Sequence, residues 1–498
     1  MRQADYIVVG AGSTGCVAAR RLAERGFSVC LIEAGSLTAG DAPAVRRPAL
    51  YPRLFHSPLD GGLATIPQSA LAGRRLHQPR GRGFGGSTLM NAMIWLPPRR
   101  ADLARLYHQG GEAGQPEAVQ AAMAEVTAWV RPEAPRWISP LVQACIGALQ
   151  AAELQVQPYQ RMNHDGVRRT AGDLLHQSAA AFRVQPVTGF VDRLEIDGNQ
   201  VTGVRLCGDG RSGPVVWARQ AVILTAGALH TPAILIRSGI GPQQVFDALE
   251  VSEIRNCPAV GQNLQDHLVI PLIYAAPDYQ PFNLPNQVPQ IARWQHLHSG
   301  PVCCNLAEAG GFLDVDEPGT ASCYPLQWFL TPTHYLRYPH PTAEGSLTVG
   351  IVLSHPTSRG QLTVAPCSDR TGTQTLLDPR YLSTADDLAR SLAAVSHGRK
   401  LAAILASSRI IGREQSPGLA RSSTTALQRY VQRYAQTLYH PVGSCAWGNS
   451  ANSVLTPQLT LRELEGCHIW DASILPFAPA ANPNALLMAI AYLFASRI

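Results

Sequence analysis

The first apolar run of the chain, residues 6–9, ends abruptly at Gly10. It is too short for a buried helix, and closure by glycine predicts a strand of a parallel sheet covered on both faces. A helical stretch follows and stops at Gly26, and a second apolar run, 29–32, leads into Glu33. Strand, turn, helix and strand within roughly thirty residues are the frame that a dinucleotide fingerprint requires. Residues 60–100 are rich in Gly, Pro and Arg and predict extended loops, whereas 115–155 carry Ala-rich helical patterns. Strands are expected at 203–207 and 215–219, followed by the apolar run 221–224. Residues 274–345 are rich in Pro and aromatics with weak periodicity. Strands at 347–353 and 361–364, a helix from about 384 to 405, a strand at 468–471 and a final helix complete the pattern. No internal repeat or low-complexity tract interrupts it.

Composition narrows the class. Hydrophobic residues make up 46% of the 498 positions and charged residues 15%, below the usual ~25%, so much of the chain should be buried in one compact body. The net charge of +6, without a Lys/Arg run beyond pairs such as Arg99-Arg100, excludes the basic footprint of a nucleic-acid binder. The eleven cysteines show neither a CxxC spacing nor a zinc-like cluster, and they read as reduced, mostly buried thiols. No secretory signal is read before residue 6, and the apolar stretch 485–495 is far below the ~20 residues that span a bilayer. A soluble, cytoplasmic protein without a metal site is the expectation.

Gly10-x-Gly12-x-x-Gly15 fills the turn of the first unit. The first glycine permits the turn, the second lets a pyrophosphate approach backbone, and the third brings helix and strand together. Ser13 and Thr14 open the helix whose N-terminus attracts phosphate. Glu33, followed by Ala34, is placed to accept hydrogen bonds from a ribose. Residues 81–91 form a second Gly-rich segment, in which Gly85 and Gly86 let backbone lie against a flat ring. Arg82, Ser87 and Asn91 complete its expected cofactor contacts. A third segment begins at Ala226-Gly227, and Val191 is expected to face the same ligand. The fourth carries chemistry: Tyr439-His440-Pro441 is followed some forty residues later by Asp471-Ala472 and then by Asn482-Pro483.

Together these segments closely resemble the glucose–methanol–choline (GMC) oxidoreductase family, and 261–267 and 378–381 resemble its further landmarks. The resemblance implies FAD as cofactor, His440 as general base, and Asn482 as the second member of the pair that holds a substrate hydroxyl. It implies oxidation of a small-molecule alcohol to an aldehyde or ketone, with O2 or another acceptor taking the electrons. The expected fold is α/β: a Rossmann-like FAD-binding domain (1–100, 186–272 and 430–498), a helical and loop insertion (101–185), and a substrate domain (273–429) built on an antiparallel sheet backed by helices. His267, His355 and His468 are expected to be structural. Some choline-oxidising relatives tether FAD through a histidine where this chain has Met90, so FAD is expected to be held without a covalent bond. Two other activities in the family, a hydroxynitrile lyase and a fatty-acid photodecarboxylase, are the alternatives. Residues 53–60 resemble the decarboxylase branch, but His440 and Asn482 stand where alcohol oxidisers place their pair. Residues 103–180 match the family poorly.

Overall fold

The computed structural model describes residues 3–110, 115–208, 213–282, 288–316, 323–338, 340, 342–367 and 372–498. β1 (Gln3–Val9), β2 (Val29–Glu33), β3 (Val184–Thr188), β4 (Val191–Asp197), β5 (Gln200–Leu206) and β6 (Val215–Leu224) form one sheet in the order β3-β2-β1-β6-β5-β4. Contacts among β3, β2, β1 and β6 are parallel, and the short strand Cys467–Ile469 adds a parallel neighbour to β6. The runs at 215–219 and 221–224 are a single strand. Its first half pairs antiparallel with β5 and is partly exposed, whereas its second half is buried beside β1. A strand that passes from an edge environment into a core changes its pattern midway and reads as two.

Helices α1 (Ser13–Glu24), α2 (Pro116–Val130) and, at the C-terminus, Pro483–Arg497 pack against one another beside this sheet. The C-terminal helix is buried on most of its circumference, which explains why its sequence has no polar face.

The second sheet is antiparallel. Its main strands are β7 (Leu268–Ala275), β8 (Ala309–Asp316), β9 (Cys323–Thr331) and β10 (Ser346–Leu353), in the order β7-β10-β9-β8. Every residue of β7 and β10 is buried. α3 (Pro140–Ala151) and α4 (Ala385–Ser407) back one face. β8 and β9 lie in the stretch where periodicity is weak, because β9 is covered on both faces and has no polar side to alternate.

The chain is thus an α/β composite of a parallel-centred sheet and a helix-backed antiparallel sheet. β7 runs through residue 272, where the sequence suggested a boundary, so the passage between sheets falls just before Leu268. Segment 101–185 is shared: α2 packs on the C-terminal helix, α3 backs the second sheet, and Gln157–Pro158 pairs with β8.

Candidate active site

A cavity of about 810 Å³ takes its walls from both halves. From the first sheet come residues at the carboxyl ends of β1, β2 and β6; from the second come Gln327, Phe329 and Thr331, alternate positions on β9. The intervening Leu326, Trp328 and Leu330 face the helix-backed core. Strand alternation therefore aims every second β9 side chain into the cavity.

At the cofactor end, Gly10, Gly12, Ser13 and Thr14 line the wall, with Glu33 and Ala34 beside them. No side chain caps the start of α1, so its first N–H groups are open to an anion. Gly15 and Gly85 do not line the cavity; they hold its floor together. A Cβ on Gly15 would sit 1.9 Å from the Gly10 carbonyl oxygen, and the Gly85 N–H donates to the Ala11 carbonyl at 2.8 Å. Gly86 lines the wall, and a Cβ there would lie 2.6 Å from the Gly12 Cα. The two Gly-rich loops thus meet backbone to backbone.

The buried Glu33 carboxylate accepts N–H donors from Ala11 (3.0 Å), Gly35 (2.9 Å) and Gly83 (3.0 Å). A carboxylate has about four acceptor positions, and these donors engage at least three of them. Burial raises its pKa above the ordinary value, against the opposing pull of the backbone donors.

Arg82, Ser87, Asn91, Val191, Ala226, Gly227, Ala472 and Pro483 all reach the cavity. Asn91 is held by Arg168, whose Nη1 donates to its Oδ1 at 2.9 Å. Asp471 also reaches the wall, but its oxygens are engaged within the protein. They accept from the Gly227 N–H (2.8 Å), the Thr231 hydroxyl (2.5 Å), and the Ser473 N–H (2.8 Å) and hydroxyl (2.6 Å). This carboxylate ties together the loops that wall the cavity.

His440 and Asn482 are brought together as the sequence suggests: Asn482 Nδ2 donates to His440 Nε2 at 3.2 Å, on the cavity wall. Gln327 Nε2 donates to Asn482 Oδ1 at 3.1 Å, fixing which end of the amide faces the histidine. On the far side, His440 Nδ1 lies 3.0 Å from His267 Nδ1. The His440 loop is anchored through its backbone N–H, which donates to Asp266 Oδ1 at 2.8 Å. Asp266 Oδ2 in turn accepts from Thr437, Gln78 and Tyr381.

Burial first, then the neighbouring His267 and Arg80, holds the His440 pKa well below the ordinary imidazole value. Burial lowers His267 to about 4. Both rings are neutral at neutral pH. His440 therefore has one lone pair for a proton, and the donor at Nε2 places it on the cavity side.

His267, for which the sequence predicts only a structural role, touches His440. Gln327, Asn484 and Arg80 were not singled out, and all three line the cavity. Asn484 Oδ1 accepts from Ser13 Oγ at 2.6 Å, joining the starts of α1 and the C-terminal helix. Arg80 Nη2 donates to the Tyr439 carbonyl at 2.6 Å. Only Asn484 carried a signal, being two residues beyond Asn482; Gln327 sits in the stretch without periodicity.

A dinucleotide-type sheet facing an antiparallel sheet across one cavity, with a neutral histidine in its wall, defines a cofactor-dependent oxidoreductase. The chain belongs to the GMC oxidoreductase family, whose N-terminal model matches residues 4–177 and 169–269 and whose C-terminal model matches 356–491. Members of this family depend on FAD. Among relatives, the chain is 29% identical to an alcohol dehydrogenase [acceptor] of Pseudomonas putida, over 98% of this chain and 94% of the other. It is 30% identical to an oxygen-dependent choline dehydrogenase of Pectobacterium atrosepticum, over 99% and 94%. Among solved structures, pyridoxine 4-oxidase from Mesorbium loti superposes with a TM-score of 0.85 at 29% identity, covering 99% of this chain and 98% of that one. No helix among the described residues is long and apolar enough to cross a membrane.

Proposed function

We propose that this chain oxidises an alcohol to an aldehyde or ketone, with FAD held by the residues of the 81–91 segment, the α1 N-terminus and Glu33. The observation that carries this reading is the Asn482–His440 contact at 3.2 Å on the wall shared by both sheets. FAD, when bound, supplies the acceptor for the hydride that leaves the alcohol carbon. The protein handles the other hydrogen. Neutral His440 accepts the hydroxyl proton at Nε2, and the resulting imidazolium balances charge that develops on the oxygen. The Asn482 amide turns from His440 Nε2 to the substrate oxygen and orients it. His267 Nδ1 accepts from His440 Nδ1, keeping the free lone pair on Nε2.

The substrate side favours an uncharged, apolar or aromatic alcohol. Tyr51, Phe55, Phe329, Tyr335, Tyr338 and Tyr439 line it, and the acids among the described lining residues are Glu33 and Asp471, both engaged as above. Arg80 adds a half-buried positive charge. Among the described lining residues no carboxylate lies beside these aromatic rings to pair with a quaternary ammonium, so the aromatic faces must overcome that repulsion. FAD is held without a covalent bond, since Met90 stands at the cavity wall and a thioether offers no ring nitrogen.

The test is anaerobic mixing of the purified yellow protein with benzyl alcohol, a straight-chain alcohol and choline, followed by reoxidation with O2 or an artificial acceptor. Bleaching by the neutral alcohols, faster than by choline, is expected; an unbleached flavin with every alcohol refutes the proposal. Acid precipitation should release the flavin, and flavin that stays with the protein by intact mass refutes non-covalent binding.

A further inference from the structure

We propose that His56, Asp60 and His77 form a site for a divalent transition-metal ion of the zinc(II) type at the rim of the cavity. His56 is exposed and also lines the cavity, so the cluster stands where the cavity meets solvent. It lies outside the catalytic pair and outside the residues assigned to the cofactor.

One donor atom from each of the three residues lies within 4.8 Å of the other two. His77 Nε2 is 2.7 Å from Asp60 Oδ2, and the two imidazoles stack with centroids 3.8 Å apart and planes 29° off parallel. The Asp60 carboxylate is fully buried. It is locked in place by backbone N–H groups of His56 (2.8 Å), Gly62 (3.2 Å) and Arg80 (3.1 Å). Two imidazole nitrogens and one carboxylate oxygen are a ligand set that zinc accepts, with a fourth position left for water.

The geometry needs little change. Metal–ligand bonds of about 2.0–2.1 Å in a tetrahedron set neighbouring donors about 3.3 Å apart. The His77–Asp60 pair therefore opens by about 0.6 Å as the ion replaces the proton they share. His56, exposed, is free to swing in. Arg80, whose backbone N–H holds Asp60, directs its guanidinium away to the carbonyls of Pro79 and Tyr439. The spacing of the three residues follows no metal motif. The fold creates the cluster by laying the loop that carries His56 and Asp60 against the short strand His77–Gln78. An ion there would tie that loop to the strand. Phe55, next to His56, packs edge-on against Tyr439 at 5.4 Å, one residue from His440.

The experiment uses flavin-loaded protein stripped with EDTA, dialysed, and titrated with zinc chloride against a chromophoric chelator. Wild type, His56→Ala and His77→Asn are compared; the first change is at an exposed position and the second keeps a donor for Asp60. Flavin absorbance confirms that each variant is folded. Wild type should take up one more equivalent than either variant, or bind that equivalent at least tenfold tighter, and its Tm should rise with zinc while that of His56→Ala does not. Equal uptake by all three proteins, or a wild-type Tm that zinc does not move, overturns the proposal. Neither readout depends on the alcohol chemistry.

Discussion

Gln327→Met tests whether the orientation of one amide sets the basicity of the site. In the wild type, Gln327 Nε2 donates to Asn482 Oδ1 at 3.1 Å, which turns the Asn482 NH2 toward His440 Nε2. A donor there requires Nε2 to be unprotonated, so the ring proton sits on Nδ1 and points at His267, 3.0 Å away. Without Gln327 the amide is free to turn over and present its oxygen, which favours a proton on Nε2 and blocks the lone pair that the substrate needs. The orienting hydrogen bond is worth about 1–1.5 kcal/mol, so the ratio of competent to incompetent tautomer falls by roughly tenfold. Methionine keeps the side-chain length and adds no polar group. The assay is anaerobic stopped-flow reduction of the flavin by a saturating alcohol. The rate constant should fall, by about tenfold at most, while flavin content and substrate affinity change little. A wild-type rate would refute the tautomer argument. So would a loss as large as that of His440→Ala, since Gln327 would then be acting on the substrate directly.

His440→Ala should retain flavin and lose reduction by alcohol by roughly 10²–10⁴-fold, the usual range for a general base; single-turnover absorbance measures it. Because His440 is neutral far below the ordinary imidazole range, the acid limb of kcat/KM should lie below pH 6.5, and a half-maximal point above 7 would contradict that. His267, depressed to about 4 from 6.5, binds fewer protons folded than unfolded. Its stability contribution is therefore complete above pH 6.5 and is lost as pH falls toward 4, by about 3 kcal/mol. Urea unfolding against pH should show this slope, to which His440, His230 and His468 add in the same direction, and His267→Gln, which still offers an acceptor to His440, should reduce it. Gly86→Ala places a methyl group 2.6 Å from the Gly12 Cα, so the two loops must part; purified protein should carry much less flavin than wild type, and full loading would show that the loops can yield.

What the sequence determined by itself is local. The run 6–9, the glycines at 10, 12 and 15, and Glu33 after the second run lie within one βαβ unit, where spacing along the chain equals spacing in space. The 81–91 segment and the loops that carry His440 and Asn482 are legible through their resemblance to the GMC family. The rest depends on pairings between distant segments. Gln327 reaches Asn482 because β9 lies beside the cavity and its odd-numbered side chains face inward. Burial of β9 on both faces removes the alternation that would have revealed the strand. His267 meets His440 because the chain enters the second sheet at Leu268 and the strand Gln436–Thr437 pairs back on β7. His56 and His77 stack although nothing between them in sequence relates them. A buried strand and a cross-chain contact leave no periodic trace, because periodicity records only which face of an element meets water.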